Sequence, residues 1–239
     1  MKAKPPLRML ISVGPTREPI DPVRFISNYS TGYMGSQVAA EAARRGHHVT
    51  VVSGPLSEPL PRSARIVFVE EAREMEAAMR RHAKGADAVI MAAAVSDFRP
   101  ARPRASKLPR RAHLTLALEA TPDIIGRLRR RAHQILVGFA LESGRVVPRA
   151  KRKLRAKRLD LLLAQRVNGT GAPFGRRRVH AWLLERDARP GSRRRRAGGS
   201  VTELGRLSKP TIARVLLDKI EELWYGQRRS TKADDAETR

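Results

Sequence analysis

Short apolar runs alternate with amphipathic stretches along this chain, and the two periods predict different elements. Leu7–Val13 reads as a buried strand, and His48–Ser53 (closed by Gly54-Pro55) and Ala88–Ala94 repeat the pattern. Ile135–Phe139, Leu159–Ala164 and Val179–Leu184 add three more strands. Ser36–Arg45 reads as a helix with Val38, Ala39, Ala42 and Ala43 on one face and Gly46 as its stop. Glu70–Ala83, the very basic Val146–Arg158 and the amphipathic Lys209–Tyr225 are further helices. Pro122–Arg131 predicts another, with Thr121 as N-cap and Pro122 in the first helical position. Leu114–Leu118 alternates weakly and reads as an edge strand. Strands that alternate with helices and are apolar on both faces predict an α/β fold: a modified Rossmann-like three-layer sandwich with a mostly parallel central sheet.

Two stretches carry no such period. Gly14–Tyr33 is long and irregular, and Asp97–Ala112 is basic and broken by Pro100, Pro103 and Pro109. Long loops inside a compact domain are usually functional or disordered. Both follow the carboxyl end of a predicted strand, the edge where open α/β sheets bind ligands. Arg189–Ser200 reads as a flexible loop. Residues 1–226 read as one domain, and 227–239 as a disordered polar tail.

Composition narrows the chemistry. There is no cysteine among the 239 residues, so disulfides, thiolate metal sites and cysteine nucleophiles are excluded. Aromatics are 4%, so the core must be aliphatic. The apolar run Met9–Val13 is too short for a signal-peptide core, and no segment is long and uncharged enough to span a bilayer, so the expectation is a soluble cytoplasmic protein without a membrane partner. The net charge of +26 points to anionic partners. Phosphorylated small molecules are favoured over nucleic acid, because binding single strands uses aromatic platforms that are scarce here. The six histidines show no metal-ligand spacing, and no metal ligand is assigned.

The string from Gly14 to Gly35, GPTREPIDPVRFISNYSTGYMG, is the most specific feature. Gly32 and Gly35 precede a helix, where small residues let a phosphate approach backbone N–H groups. It is neither a G-x-G-x-x-G dinucleotide fingerprint nor a Walker A loop. It resembles the phosphopantothenoylcysteine synthetase (phosphopantothenate–cysteine ligase) family, which is often fused behind a flavin-dependent decarboxylase domain. The resemblance continues through Ala92–Pro100 (AAAVSDFRP), Thr121–Ile125 (TPDII), Val137–Ser143 (VGFALES), Lys151–Leu154 (KRKL) and Leu159–Ala164 (LDLLLA), and covers roughly residues 8 to 222 in the family's order.

That resemblance implies site residues. Asn28 would engage the activated acyl intermediate and Arg24 would lie beside it, its planar fork suited to phosphate or carboxylate. Lys107, ten residues after Asp97, matches the family's mobile-loop catalytic lysine, which would neutralise charge on the reacting phosphate. Gly14, Ala92, Ala93 and Asp97 would border the nucleotide. Pro122, Asp123, Ile124 and Ile125 would offer N–H groups to an anion, and Phe139 could stack on the base. Lys153 and Lys157, four apart on one helix face, would hold the triphosphate. The implied reaction joins 4′-phosphopantothenate to L-cysteine through an acyl-nucleotide, using CTP or ATP with Mg²⁺ bridging the triphosphate oxygens. The implied assembly is a homodimer. The flavin-binding module of the fused relatives is not in this sequence, so no flavin is expected.

Two departures stand out. Gln165-Arg166 occupies the place of the family's usual Asn-Asp, which removes a carboxylate and adds a cation near the expected site, and Tyr33 replaces a common lysine. Two other readings stay open: an NAD(P)-dependent Rossmann-type oxidoreductase, and a non-catalytic nucleic-acid or phosphometabolite binder.

Overall fold

The computed structural model describes residues 4–169, 173–186 and 199–237, with side chains described as far as residue 226. In chain order the elements are β1 (Arg8–Val13), β2 (Arg17–Pro19), β3 (Phe25–Ser27), α1 (Tyr33–Arg44), β4 (His48–Ser53), β5 (Arg65–Phe68) and α2 (Ala72–Ala83). Then come β6 (Ala88–Met91), β7 (Phe98–Pro100), β8 (Leu118–Ala120), α3 (Ile124–Arg127), β9 (Ile135–Glu142), α4 (Val146–Ala156), β10 (Leu161–Arg166), β11 (Val179–Glu185), β12 (Val201–Leu207) and α5 (Lys209–Glu237).

Eight strands form one sheet in the order β12-β11-β10-β9-β6-β1-β4-β5. Pairing is parallel from β5 to β10 and antiparallel at β11 and β12. Alternation along β1 explains the three layers. Met9, Ile11 and Val13 pack with α1 and α5 on one face, and Leu10 packs with α2 and α4 on the other. The central strands therefore need apolar residues at every position, which is why they were readable as continuous runs. The expected α/β sandwich is the fold observed.

Strand order reverses at β1: the chain runs outward to β4 and β5, then returns to β6 on the other side. That reversal opens a crevice at the carboxyl ends of β1 and β6. The two irregular stretches follow those ends: the first contains a hairpin, and the second opens with a strand whose partner lies just beyond it. β2 pairs with β3, and β7 pairs with β8.

Several elements differ from the sequence reading. Strand β6 stops at Met91, and Ala94 makes only an isolated bridge to Pro15. The edge strand expected at Leu114–Leu118 lies at Leu118–Ala120 and pairs with β7 outside the main sheet. The helix expected over Pro122–Arg131 is four residues long. Its N-cap is Asp123, whose carboxylate accepts the Gly126 N–H, while the Thr121 hydroxyl donates to the Ser96 carbonyl. Gly126 inside the first turn weakens any continuation. Strands β5 and β12 were not read from the sequence. Each lies at an edge of the sheet and needs no fully apolar run. Helix α5 continues past Tyr225 through positions read as a polar tail. The side chains of 227–239 and most of the expected 189–200 loop lie outside the described residues.

Two helices end in the same backbone motif with different residues. At the end of α1, the Gly46 and His47 N–H groups bond to the Ala43 and Ala42 carbonyls, with Gly46 at φ +80°. At the end of α4, the Arg158 and Leu159 N–H groups bond to Arg155 and Leu154, with Arg158 at φ +51°. This is the Schellman arrangement, which favours glycine at the left-handed position. Arg158→Gly is expected to raise stability by about 0.5–1 kcal/mol, since it removes the Cβ penalty but adds unfolded-state entropy. Chemical denaturation of both proteins checks this, and a destabilised variant would count against it.

Candidate active site

Three strand ends build the floor of the site. The segment after β1 crosses the segment after β4 so closely that a Cβ on Gly54 would lie 1.9 Å from the Pro15 carbonyl oxygen. Gly32, at φ +78°, starts α1 against Gly14, where a Cβ would come within 3.2 Å of the Gly14 Cα. The segment after β6 is laced to this turn. The Ala94 N–H donates to the Gly14 carbonyl (2.9 Å), and the Ser96 N–H donates to Thr16 Oγ1 (3.0 Å).

Above this floor is a cavity of about 540 Å³. That lies within the roughly 300–1,000 Å³ usual for small-molecule sites. Asn28 borders it and donates from Nδ2 to the Ala94 carbonyl (2.9 Å). Among the described residues its amide oxygen has no hydrogen-bond partner. Ala92, Ala93 and Asp97 border it after β6, and Phe139 borders it from β9. One wall comes from the face of the sheet that carries α3 and α4: Thr121 to Ile125, Lys153 and Lys157. The other comes from the face that carries α1 and α5: Gly32, Tyr33, Phe174 and Lys209.

The cations on these walls are strained electrostatically. Lys153 donates to the Phe139 carbonyl (2.8 Å). Its pKa is pushed below the ordinary lysine value, first by burial and then by Lys157, while Glu142, Asp97 and Asp123 oppose the shift. Lys157 is ion-paired with Asp123. On the other wall, burial pushes Lys209 down to about 8, and Glu58 opposes this. An anion between the walls would relieve the desolvation penalty on both ammonium groups.

Comparison with known proteins gives the same outline. Residues 6–223 match the family model described as "DNA/pantothenate metabolism flavoprotein C-terminal domain". The chain belongs to this family. It is 44% identical over 168 residues to the coenzyme A biosynthesis bifunctional protein CoaBC of Escherichia coli K12, covering 68% of this chain and 41% of that protein. To the CoaBC of Mycobacterium bovis it is 40% identical over 194 residues, covering 75% and 46%. The chain thus spans less than half the length of these relatives. The crystal structure of the C-terminal domain of a CoaBC protein superposes with a TM-score of 0.73 at 35% identity, covering 91% of this chain and 95% of that one.

The residues expected from the family resemblance fall into two groups. Asn28, Ala92, Ala93, Asp97 and Phe139 meet at the cavity, together with Pro122–Ile125, Lys153 and Lys157. Gly14, Arg24 and Lys107 do not border it. Gly14 lies behind the floor. Arg24 is bound to buried Asp21 through Nε (2.9 Å) and donates to the Leu108 carbonyl (2.8 Å). Asp21 also accepts the Leu108 N–H (3.1 Å), and the Arg24 guanidinium with these backbone donors holds its carboxyl well below the usual range. Asp21 therefore pins the Lys107 loop beside Arg24. Lys107 itself is exposed. Pro122–Ile125 offers less to an anion than expected, since Asp123 already caps the short helix and brings a negative charge.

The departures also separate. Gln165 is buried and borders the cavity, but Arg166 points away, with its guanidinium 5.2 Å from the Trp182 ring. Strand alternation puts these neighbours on opposite faces, so the added cation is not in the site. The ring of Tyr33 receives Arg176 at 5.3 Å and Lys209 at 5.9 Å, so an aromatic ring stands where a lysine would have been a third cation. Phe174 and Lys209 were not singled out from the sequence. The lysine before Pro210, at the head of an amphipathic helix, was the available signal.

Lys153→Met keeps the apolar stem and removes the ammonium. It is expected to weaken binding of pyrophosphate or a nucleoside triphosphate about tenfold, the scale of one charged hydrogen bond. Calorimetric titration measures this, and unchanged affinity would remove Lys153 from the site.

Proposed function

We propose that this chain ligates 4′-phosphopantothenate to L-cysteine through an acyl-nucleotide, in the cytoplasm. The observation that carries the reading is one shared cavity at the strand-reversal crevice, where Asn28, Asp97, Phe139, Lys153 and Lys157 converge. A carboxylate is a poor acyl donor to an amine, so it must first be activated. The substrate carboxylate attacks the α-phosphate and pyrophosphate leaves. The cysteine amine then attacks the acyl carbon and releases the nucleoside monophosphate.

The chain's own residues divide this work. Lys153 and Lys157 hold the triphosphate oxygens. Asn28, fixed through Nδ2, offers its free amide oxygen and remaining N–H to the acyl portion. Arg24 and Lys107, carried on the paired hairpins, approach from outside the cavity and neutralise charge on the reacting phosphate as ligand binds. Mg²⁺ would enter with the co-substrate, and Asp97 and Asp123, which border the cavity, are the carboxylates that would help to hold it and so screen the triphosphate charge. CTP is favoured over ATP by the family resemblance alone.

An oxidoreductase is disfavoured by the β1–α1 connection. A dinucleotide fold turns from strand to helix in a tight glycine loop, whereas here Gly14–Gly32 intervene and contain a hairpin. The homodimer reading is supported by the two hairpins, on which Val23, Phe25, Phe98, Leu114 and Leu118 are exposed. Among the described residues no helix is long and apolar enough to cross a membrane.

Purified protein with phosphopantothenate, cysteine, Mg²⁺ and CTP is expected to release pyrophosphate and CMP in equal amounts. Absence of both products with either CTP or ATP would defeat the reading. Lys107→Ala is expected to lower turnover at least a hundredfold with an unchanged melting temperature, and undiminished turnover would remove Lys107 from the chemistry. Sedimentation is expected to give twice the 26.6 kDa chain mass, and a monomer would refute the dimer.

A further inference from the structure

Lys209 is in the wrong place by three general rules. It is 4% exposed, and burial of an ammonium is costly. It is the first residue of α5, where the helix dipole disfavours a cation. Its neighbourhood already contains Arg176, which lies over the same Tyr33 ring. Ser208 caps the helix by accepting the Thr211 N–H, so α5 does not need the lysine to begin.

What holds Lys209 there is a pair of backbone acceptors. Its ammonium donates to the carbonyls of Pro173 (2.7 Å) and Gly175 (2.6 Å). These flank Phe174, which borders the cavity with its ring centroid 6.4 Å from that of Tyr29, the neighbour of Asn28. One cation thus ties the head of α5 to the segment that closes the cavity next to the Asn28 loop.

We propose that Lys209 is a positioning residue: it clamps the Pro173–Gly175 segment and so fixes Phe174 as the wall against which the nucleotide or acyl ligand is seated. The ligand's identity rests on the ligase reading, whereas the clamp does not. Glu58 and the Tyr33 ring also offset its burial, and among the described residues no carboxylate bonds to it directly.

Amide hydrogen exchange on the ligand-free protein tests the clamp. Lys209→Met is expected to speed exchange at Phe174–Arg176 at least tenfold and leave β10 and β11 unchanged. Lys209→Arg, which keeps charged donors, is expected to stay within about threefold of the unsubstituted protein. If Lys209→Met does not fold, Lys209→Gln replaces it. Its amide reaches one carbonyl, and an increase of at least threefold is expected. Unchanged exchange in the folded Met or Gln variant would overturn the clamp.

Titration with CTP and with 4′-phosphopantothenate tests the seating. Lys209→Met and Phe174→Ala are each expected to weaken the same ligand about tenfold, and the double variant no further than either alone, because both remove one wall. Additive losses, or no loss, would overturn the seating role. If the unsubstituted protein binds neither ligand, the ligase reading fails, and the exchange result still decides the clamp.

Discussion

A parallel sheet has one edge at which its strands all end, and the reversal of order at β1 is the constraint on which this molecule depends. The crevice that it leaves at β1 and β6 cannot be filled by a helix, because α1 and α2 leave toward opposite faces. The chain fills it with loops instead, and these must pass very close to one another. Gly54 against Pro15 and Gly32 against Gly14 are two such close approaches. A side chain at either would push the two loops apart and open the floor under Asn28 and Asp97.

Charge is handled differently inside the cavity and outside it. Most of the excess positive charge is on exposed arginines, where water screens it. Lys153 is half-buried and Lys209 buried, on opposite walls, and burial is the first cause of the lowered pKa of each. Among the described residues each is anchored to backbone carbonyls rather than to a carboxylate. Neutral acceptors fix their positions without cancelling their charge, and Asp97 and Asp123 on the same cavity only partly oppose it. Asp21 does the reverse outside the cavity, where a carboxylate pairs with the half-exposed Arg24 and accepts the Leu108 N–H, which aligns the Lys107 loop.

The aliphatic runs of β1, β4, β6, β9 and β10, and the helical period of α1, α2, α4 and α5, were legible because burial on fixed faces writes them into residue order. Asn28, Asp97, Phe139, Lys153 and Lys157 were legible as a set only through their family motifs, for no periodicity joins positions so far apart. The short edge strands β5 and β12 were not legible, since an exposed edge makes little demand on side chains. Nor was the early end of α3, where an Asp123 cap overrode an otherwise acceptable proline start.

Residue order by itself determined the layers, the central strands and the list of candidate side chains, because each depends on local period or a contiguous motif. Only the folded molecule decided which candidates share one cavity. It held Arg24 and Lys107 outside that cavity on Asp21, turned Arg166 onto Trp182, and brought Lys209 of the last helix to Phe174. The reason is that hydrogen bonds and ring contacts between distant segments are set by sheet order and strand alternation, and neither is encoded in the spacing of the residues they join.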